Sequence, residues 1–210
     1  MIVYLHGFAS GPGSTKAQFF RARLTELDIE LAIPDLAPDF THMTITSQLA
    51  IVERLLVGEP AVLMGSSLGG YLAALLAARR PDRVRGLVLL APAFGFAQRW
   101  EQRIGADAYA RWKRDGAMTV LHYGLDRELP LSFGLIDDAR RYPAEPDPTC
   151  PALVIAGRRD DAVPLSAVEH FAAARAGRDL VVYDAGHELT EVLDPMWDRT
   201  RTFLAKLGAL

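Results

Sequence analysis

Residues 62–70 read Val62-Leu63-Met64-Gly65-Ser66-Ser67-Leu68-Gly69-Gly70, and they contain the pattern G-x-S-x-G. The apolar residues before the pattern predict a buried strand, and the Ala/Leu-rich run Tyr71–Arg79 predicts a helix directly after it. This order of strand, sharp turn and helix is the context that a nucleophile elbow requires. We therefore expect Ser67 at the tip of the turn. The flanking glycines are expected to permit a positive φ and a close approach of helix to strand.

Short aliphatic runs alternate with helical patterns along the rest of the chain. Several strand runs are apolar at every position, which is typical of parallel strands covered on both faces. This alternation predicts an α/β protein with a mostly parallel, doubly wound sheet. Ser166–Glu169 has capping-box spacing, and Asp194-Pro195 has the residues of an N-cap and a first helical position. The predicted strands are Ile2–Leu5, Leu31–Ile33, Ala61–Met64, Gly86–Leu90, Leu153–Ala156 and Leu180–Tyr183, and the predicted helices are Lys16–Leu27, Thr46–Val57, Leu68–Arg79, Val168–Arg175 and Met196–Leu207.

One segment interrupts the alternation. Residues 94–148 lie between two predicted strands and are far too long for a simple connection. We therefore predict a single domain over residues 1–210, with a cap inserted at about 94–148. Its aromatic side chains are expected mainly to hold the cap to the core, and some of them to line an acyl pocket. Within the cap we predict helices at Ala106–Arg114 and Ile136–Tyr142, and a hairpin of Met118–Tyr123 with Glu128–Phe133.

Composition favours a globular protein, since 50% of the 210 residues are hydrophobic and the formal net charge is −3 at pH 7. No block of like charges is present, so neither nucleic acid nor an anionic membrane is an expected partner. The apolar runs are too short to span a bilayer. The lone Cys150 and the absence of a signal-like stretch at Met1–Leu5 favour a cytoplasmic location. No cofactor or metal motif is present, and none is expected.

A serine hydroxyl is a poor nucleophile at neutral pH and needs a base, which in turn needs an orienting carboxylate. Of the five histidines, only His187 directly follows a predicted last strand, in the loop after Tyr183. Functional groups of a parallel sheet gather beyond the carboxyl ends of its strands, so His187 is the candidate base. Asp160 and Asp161 both follow the strand Leu153–Ala156, and either of them, but not both, could orient the histidine.

The third requirement is an oxyanion hole. One donor is expected to be the backbone N–H of Leu68, immediately after the nucleophile. The other is expected from the loop after the first strand, where the Phe8 N–H is the candidate. Gly7 is expected to let this loop turn in close, and His6 to have a structural role.

These residues resemble the α/β-hydrolase superfamily over essentially the whole chain. The resemblance implies the α/β-hydrolase fold, with the triad acid of the G-x-x-D-x-x-V-P pattern at Asp160 and the base of the G-H pair at His187. It also implies an oxyanion amide at Phe8 in the H-G-F loop. The chain is similar, more narrowly, to small bacterial serine esterases of the YqiA type, in the residues Tyr4-Leu5-His6-Gly7-Phe8, Ser10, Pro12, Ser14, Lys16 and Gly65–Tyr71.

Together, the constellation and the resemblance predict a serine hydrolase that cleaves small-molecule carboxylic esters or thioesters. Ser67 would attack the acyl carbonyl, His187 would accept its proton, and Asp160 would hold the imidazole while an acyl-enzyme forms. One alternative keeps this triad but cleaves another bond, by amide, C–C or peroxyacid chemistry. Another is a binding protein that kept the fold and lost turnover.

Overall fold

The computed structural model describes residues 1–210, and its centre is a six-stranded sheet in which every neighbouring pair is parallel. The strands are β1 (Ile2–Leu5), β2 (Leu31–Ala32), β3 (Ala61–Ser66), β4 (Val84–Leu90), β5 (Ala117–His122), β6 (Arg127–Ser132), β7 (Ala152–Gly157) and β8 (Arg178–Tyr183). The sheet order is β2-β1-β3-β4-β7-β8, while β5 and β6 form a separate antiparallel hairpin. The strand order reverses between β1 and β3, and ligands of such sheets bind in the crevice at this switch point.

Helices cover both faces of the sheet. They are α1 (Thr15–Thr25), α2 (Ile45–Leu55), α3 (Leu68–Arg79), α4 (Phe96–Ile104), α5 (Ala106–Asp115), α6 (Gly134–Ala139), α7 (Leu165–Ala173) and α8 (Leu193–Lys206). Along β1, Ile2 and Tyr4 pack in the layer of α1 and α8, whereas Val3 and Leu5 pack in the layer of α2, α3 and α7. This period of two places an apolar layer on each side, so the predicted fold class, a doubly wound α/β sheet, is confirmed.

Two predicted helix starts are wrong. Helix α7 begins at Leu165, because the Ala167 N–H donates to the Pro164 carbonyl at 3.0 Å and closes the first turn before Ser166 could cap it. Helix α8 begins at Leu193, because a short 3₁₀ turn over Thr190–Val192 runs directly into it. Asp194 and its proline neighbour therefore lie inside the first turn, where a missing N–H costs no helical hydrogen bond.

Residues 94–148, which we call the inserted segment, lie between β4 and β7 and contain α4, α5, the hairpin and α6. The sequence did not predict α4, although Phe96 and Trp100 have the i, i+4 spacing of one buried helical face. Most aromatic side chains of the segment are buried, and the Trp112 indole N–H donates to the Leu131 carbonyl at 2.9 Å. Tyr142 is half-buried, and Tyr123, in the hairpin turn, is 72% exposed.

No helix in the structure combines the length and the apolar character needed to cross a membrane. Helix α3 is the most apolar of the eight, and all of its residues from Leu68 to Ala77 are buried. It packs between the sheet and the inserted segment, where the Tyr71 hydroxyl donates to the Pro143 carbonyl at 2.9 Å. The helix that follows the candidate nucleophile is therefore held on both sides.

Candidate active site

Ser67 lies between β3 and α3 with φ 53° and ψ −116°, a conformation that non-glycine residues rarely adopt. Such a residue carries strain of order 1–3 kcal/mol and persists only where its surroundings hold it. Here the Ser67 N–H donates to the Leu90 carbonyl at 2.9 Å, and the Ser67 carbonyl accepts from Ala93 at 3.0 Å and from Tyr71 at 3.1 Å. The end of β4 and the first turn of α3 therefore hold the serine in the raised position that the sequence predicts.

The glycines on either side allow a close approach of two backbones. The strained, positive-φ conformation expected of the turn falls on Ser67 itself, whereas neither Gly65 nor Gly69 has a positive φ. A Cβ on Gly69 would lie 2.5 Å from the Leu5 carbonyl carbon and 2.6 Å from the His6 carbonyl oxygen. Real Cβ atoms do not tolerate such distances to backbone, so α3 can lie this near β1 only because residue 69 has no side chain.

Three loops at the carboxyl edge of the sheet bring Ser67, His187 and Asp160 into one hydrogen-bonded chain. The Ser67 hydroxyl donates to His187 Nε2 at 3.0 Å, and His187 Nδ1–H donates to Asp160 Oδ2 at 2.8 Å. Asp160 Oδ1 in turn accepts from the backbone N–H groups of Ala162 at 2.9 Å and Val163 at 2.8 Å. A nucleophile, a base and an orienting carboxylate in this order form the arrangement that activates a serine for acyl transfer.

The Asp160 carboxylate is only 3% exposed, whereas the neighbouring Asp161 is exposed and makes no hydrogen bond to His187. Burial opposes ionisation of Asp160, but the hydrogen bond from His187 and those from Val163 and Ala162 outweigh it and hold its pKa below the ordinary value. The carboxylate is therefore charged at neutral pH, as it must be to stabilise an imidazolium beside it.

Phe8 and Leu68 are the two predicted oxyanion donors, and both are near Ser67. The Phe8 N–H has no acceptor within the protein, and Phe8 lines a cavity together with Ser67 and His187. The Leu68 N–H belongs to the first turn of α3, whose N–H groups have no partner within the helix. The positive end of the α3 dipole also lies here, so negative charge on a bound oxygen is favoured at this point.

His6 anchors the loop that carries Phe8, as its predicted structural role requires. Its Nδ1–H donates to the Gly7 carbonyl and its Nε2 accepts from the Leu36 N–H, each at 3.1 Å. Burial lowers the pKa of His6, which keeps the ring neutral and able to accept. Gly7 has no positive φ, and a Cβ there would make only ordinary contact with Ser67 Cβ at 3.6 Å. The loop does come close to Ser67, as expected, but this approach does not require a glycine, and a side chain at position 7 would lie beside the serine.

Two cavities meet at Ser67 and His187. The larger has a volume of about 1180 Å³ and lies between the loop after β1, residues 35–41 and the hairpin turn. The smaller has a volume of about 460 Å³ and lies between α4 and the loop after β7. Six of its 13 lining residues are hydrophobic, namely Phe8, Ala93, Phe96, Trp100, Ala162 and Val163. This combination of an apolar wall and a few convergent polar groups is typical of a small-molecule site.

The sequence did not predict two charged residues of the smaller cavity, Arg99 and Arg103. Their i, i+4 spacing on one face of α4 was the available signal, but α4 itself was not predicted. The remaining histidines lie away from Ser67 or in other contacts. His42 and His170 are exposed and paired with carboxylates, while His122 is buried against Phe40 with 4.8 Å between ring centroids.

Solved structures share this fold. A protein of Agrobacterium vitis S4 described as a candidate hydrolase superposes with a TM-score of 0.82 at 24% identity, over 96% of this chain and 86% of that one. Alpha/beta hydrolase domain-containing protein 10 from mouse gives a TM-score of 0.82 at 20% identity, over 98% and 90% of the two chains. Est1E from Butyrivibrio proteoclasticus, also solved with ferulic acid bound, gives a TM-score of 0.77 at 19% identity, over 100% and 88%. The architecture is therefore the α/β-hydrolase fold.

The chain belongs to the family described as Uncharacterised protein family (UPF0227), whose model matches residues 1–204. That match covers the whole sheet, the inserted segment and all but the last residues of α8. The family is YqiA-like, so the resemblance that the loop after β1 and the turn after β3 indicate is confirmed.

Proposed function

We propose that this protein is a serine hydrolase that cleaves small-molecule carboxylic esters or thioesters. The observation that carries the proposal is the chain of hydrogen bonds from Asp160 through His187 to Ser67, at 2.8 and 3.0 Å. The raised, strained position of Ser67 at a helix N-terminus supports the same role. Further support comes from Est1E, a protein of the same fold that binds the carboxylic acid ferulic acid.

In the proposed reaction, Ser67 Oγ attacks the acyl carbon while its proton passes to His187 Nε2. The ionised Asp160 holds the imidazole by Nδ1 and stabilises its charged form. The N–H groups of Phe8 and Leu68 donate to the oxyanion of the tetrahedral intermediate. His187 then returns the proton to the departing alkoxide or thiolate, and the acyl group remains on Ser67.

Deacylation repeats these steps with water as the nucleophile. His187 accepts a proton from the water, the oxyanion forms again between the same two amides, and Ser67 recovers its proton when the carboxylic acid leaves. The apolar walls of the smaller cavity suit the acyl chain. The larger cavity then receives the alcohol or thiol.

Labelling and turnover test the proposal together. A fluorophosphonate probe should add to Ser67 in the intact protein, and Ser67→Ala should abolish the adduct. The same substitution should lower kcat on an activated p-nitrophenyl ester by more than about 10⁴-fold, because no other group replaces the nucleophile. Ser66→Ala is the matched control, since it removes the neighbouring hydroxyl and should keep the adduct.

A substrate panel separates the alternatives. An activated ester, the matching thioester and the matching anilide differ only in the bond that is cleaved. We expect turnover of the ester or the thioester, whereas turnover of the anilide alone would contradict the proposed bond type. If the intact protein neither reacts with the probe nor turns over any of the three, the fold serves binding and the proposal is wrong.

A further inference from the structure

Arg99 and Arg103 lie four residues apart on α4, and both line the smaller cavity beside Ser67 and His187. Side chains at i and i+4 are neighbours on a helix surface, so two positive charges there repel each other and destabilise the helix. The protein therefore keeps an unfavourable pair of charges where the acyl group is proposed to bind.

Neither arginine has a carboxylate within ion-pair distance. The half-buried Arg99 donates through Nη1 to the Phe94 carbonyl, a neutral partner, and Arg103 makes no hydrogen bond or ion pair. Burial lowers the pKa of the Arg99 guanidinium, the charge of Asp160 opposes that change, and Arg103 adds to it. Arg99 is half-buried and Arg103 is exposed, whereas the buried Arg178 is paired with Asp147 at 2.5 Å. The two arginines of α4 are therefore available to an anion from outside.

The chemistry of the cavity limits what that anion is. Besides the two guanidinium groups, the cavity contains one carboxylate that is free of the triad, Asp161, so positive charge is in excess. The planar guanidinium donates two parallel hydrogen bonds to a carboxylate, and it does so more specifically than a point charge. The apolar side chains that line the same cavity suit a short hydrocarbon chain.

We propose that the preferred acyl group is the half-acyl group of a dicarboxylic acid, whose distal carboxylate binds Arg99 and Arg103. This inference rests on the proposed function, because it places the acyl carbonyl at Ser67. The distal carboxylate takes part in no bond change. Hydrolysis therefore breaks the same ester or thioester bond and releases a dicarboxylate together with the alcohol or thiol.

Two p-nitrophenyl esters of equal size test the charge preference. One is the half-ester of adipic acid, with a distal carboxylate, and the other is the ester of adipamic acid, with a distal carboxamide. We expect kcat/KM to be about tenfold or more higher for the carboxylate, which is the scale of charge-assisted hydrogen bonds. Equal kcat/KM values in the intact protein, beside normal labelling of Ser67, would overturn this inference and leave the proposed function standing.

Substitutions then locate the preference. Arg99→Gln and Arg103→Gln should each lower the ratio of the two kcat/KM values severalfold or more. Arg103→Gln guards against loss of folding, because the exposed Arg103 has no hydrogen bond or ion pair to lose, whereas Arg99 contacts the Phe94 carbonyl. Arg111→Gln on α5 is the matched control, since this exposed arginine lies off both cavities and its loss changes the net charge equally. An unchanged ratio in both cavity variants would refute the assignment.

A binding measurement tests the carboxylate site of this inference independently of turnover. Titration calorimetry on the Ser67→Ala protein compares the adipamate anion with neutral adipamide. Adipamate should bind at least about tenfold more tightly, and Arg103→Gln in the same background should remove the difference. Equal affinities of adipamate and adipamide for the Ser67→Ala protein would exclude a carboxylate site in this cavity.

Discussion

Replacing Gly69 by alanine tests how closely the elbow is packed. The added Cβ would lie 2.5 Å from the Leu5 carbonyl carbon and 2.6 Å from the His6 carbonyl oxygen. Both are backbone atoms at the end of β1, so no side-chain rotation can relieve the overlap. The start of α3 would have to move away from β1, and the hydrogen bonds that hold Ser67 would change with it.

The expected loss in the free energy of unfolding follows from the overlap of the new Cβ with backbone atoms. Overpacking a well-filled core destabilises a protein by about 1–3 kcal/mol, and a clash between two backbones belongs at the upper end of that range. A domain of this size loses about 2–4 °C in Tm per kcal/mol, so Gly69→Ala should lower Tm by roughly 6–12 °C. A loss of about 3 kcal/mol in the free energy of unfolding is a large fraction of the roughly 5–15 kcal/mol that stabilise a typical native protein.

Thermal unfolding followed by far-UV circular dichroism measures this effect. Gly13→Ala is the matched control, because a Cβ there meets nothing within 4 Å and the residue has no positive φ. The control should stay within about 0.5 kcal/mol of the parent protein. If Gly69→Ala has the same Tm as Gly13→Ala, glycine at residue 69 is not required for the close approach of α3 to β1, and the reasoning is refuted.

Two further substitutions test charged contacts. Asp160→Asn should lower kcat on an activated ester by roughly 10³–10⁴-fold, because the imidazole loses its orienting charge, while Asp161→Asn should cost far less, and comparable losses would contradict the assignment. Asp147 accepts hydrogen bonds from Arg175 and Arg178, which lower its pKa to about 2. These contacts therefore stabilise the fold fully above about pH 5 and weaken as the pH falls toward 2, so the Tm difference between the parent protein and Asp147→Asn should shrink over that range. A pH-independent difference, measured by thermal unfolding in a buffer series, would be evidence against this linkage.

Much of the fold and the candidate site was predictable because the signals are local. Runs of apolar residues define β1, β3 and β7. The loops that follow these strands contain Phe8, Ser67 and Asp160, respectively, at one edge of the sheet. A parallel sheet gathers such loops without any knowledge of side-chain packing. His187 was identified in the same way, from its place after the last strand.

Other features depend on contacts that are distant in sequence. Asp160 and Asp161 are equivalent by their position after β7, and only the family resemblance favoured Asp160. The contact that distinguishes them is with the distant His187, whose Nδ1–H donates to Asp160 Oδ2. The smaller cavity exists because the inserted segment folds back over the sheet. Helix α4 follows Gly95 and has no side-chain N-cap, so no start signal marked it and the position of Arg99 could not be inferred.

The hydrogen bond from the Ala93 N–H to the Ser67 carbonyl, at 3.0 Å, has a consequence for protein engineering. This is the last backbone hydrogen bond to the turn of Ser67, and the inserted segment begins at the next residue. The segment ends before β7, which precedes the loop of Asp160. Both ends of residues 94–148 thus lie outside the hydrogen-bonded chain of Ser67, although the buried aromatic side chains of the segment pack in the same core as α3. A graft that retains Ala93 and preserves this shared core should change substrate preference and leave the Ser67, His187 and Asp160 contacts in place.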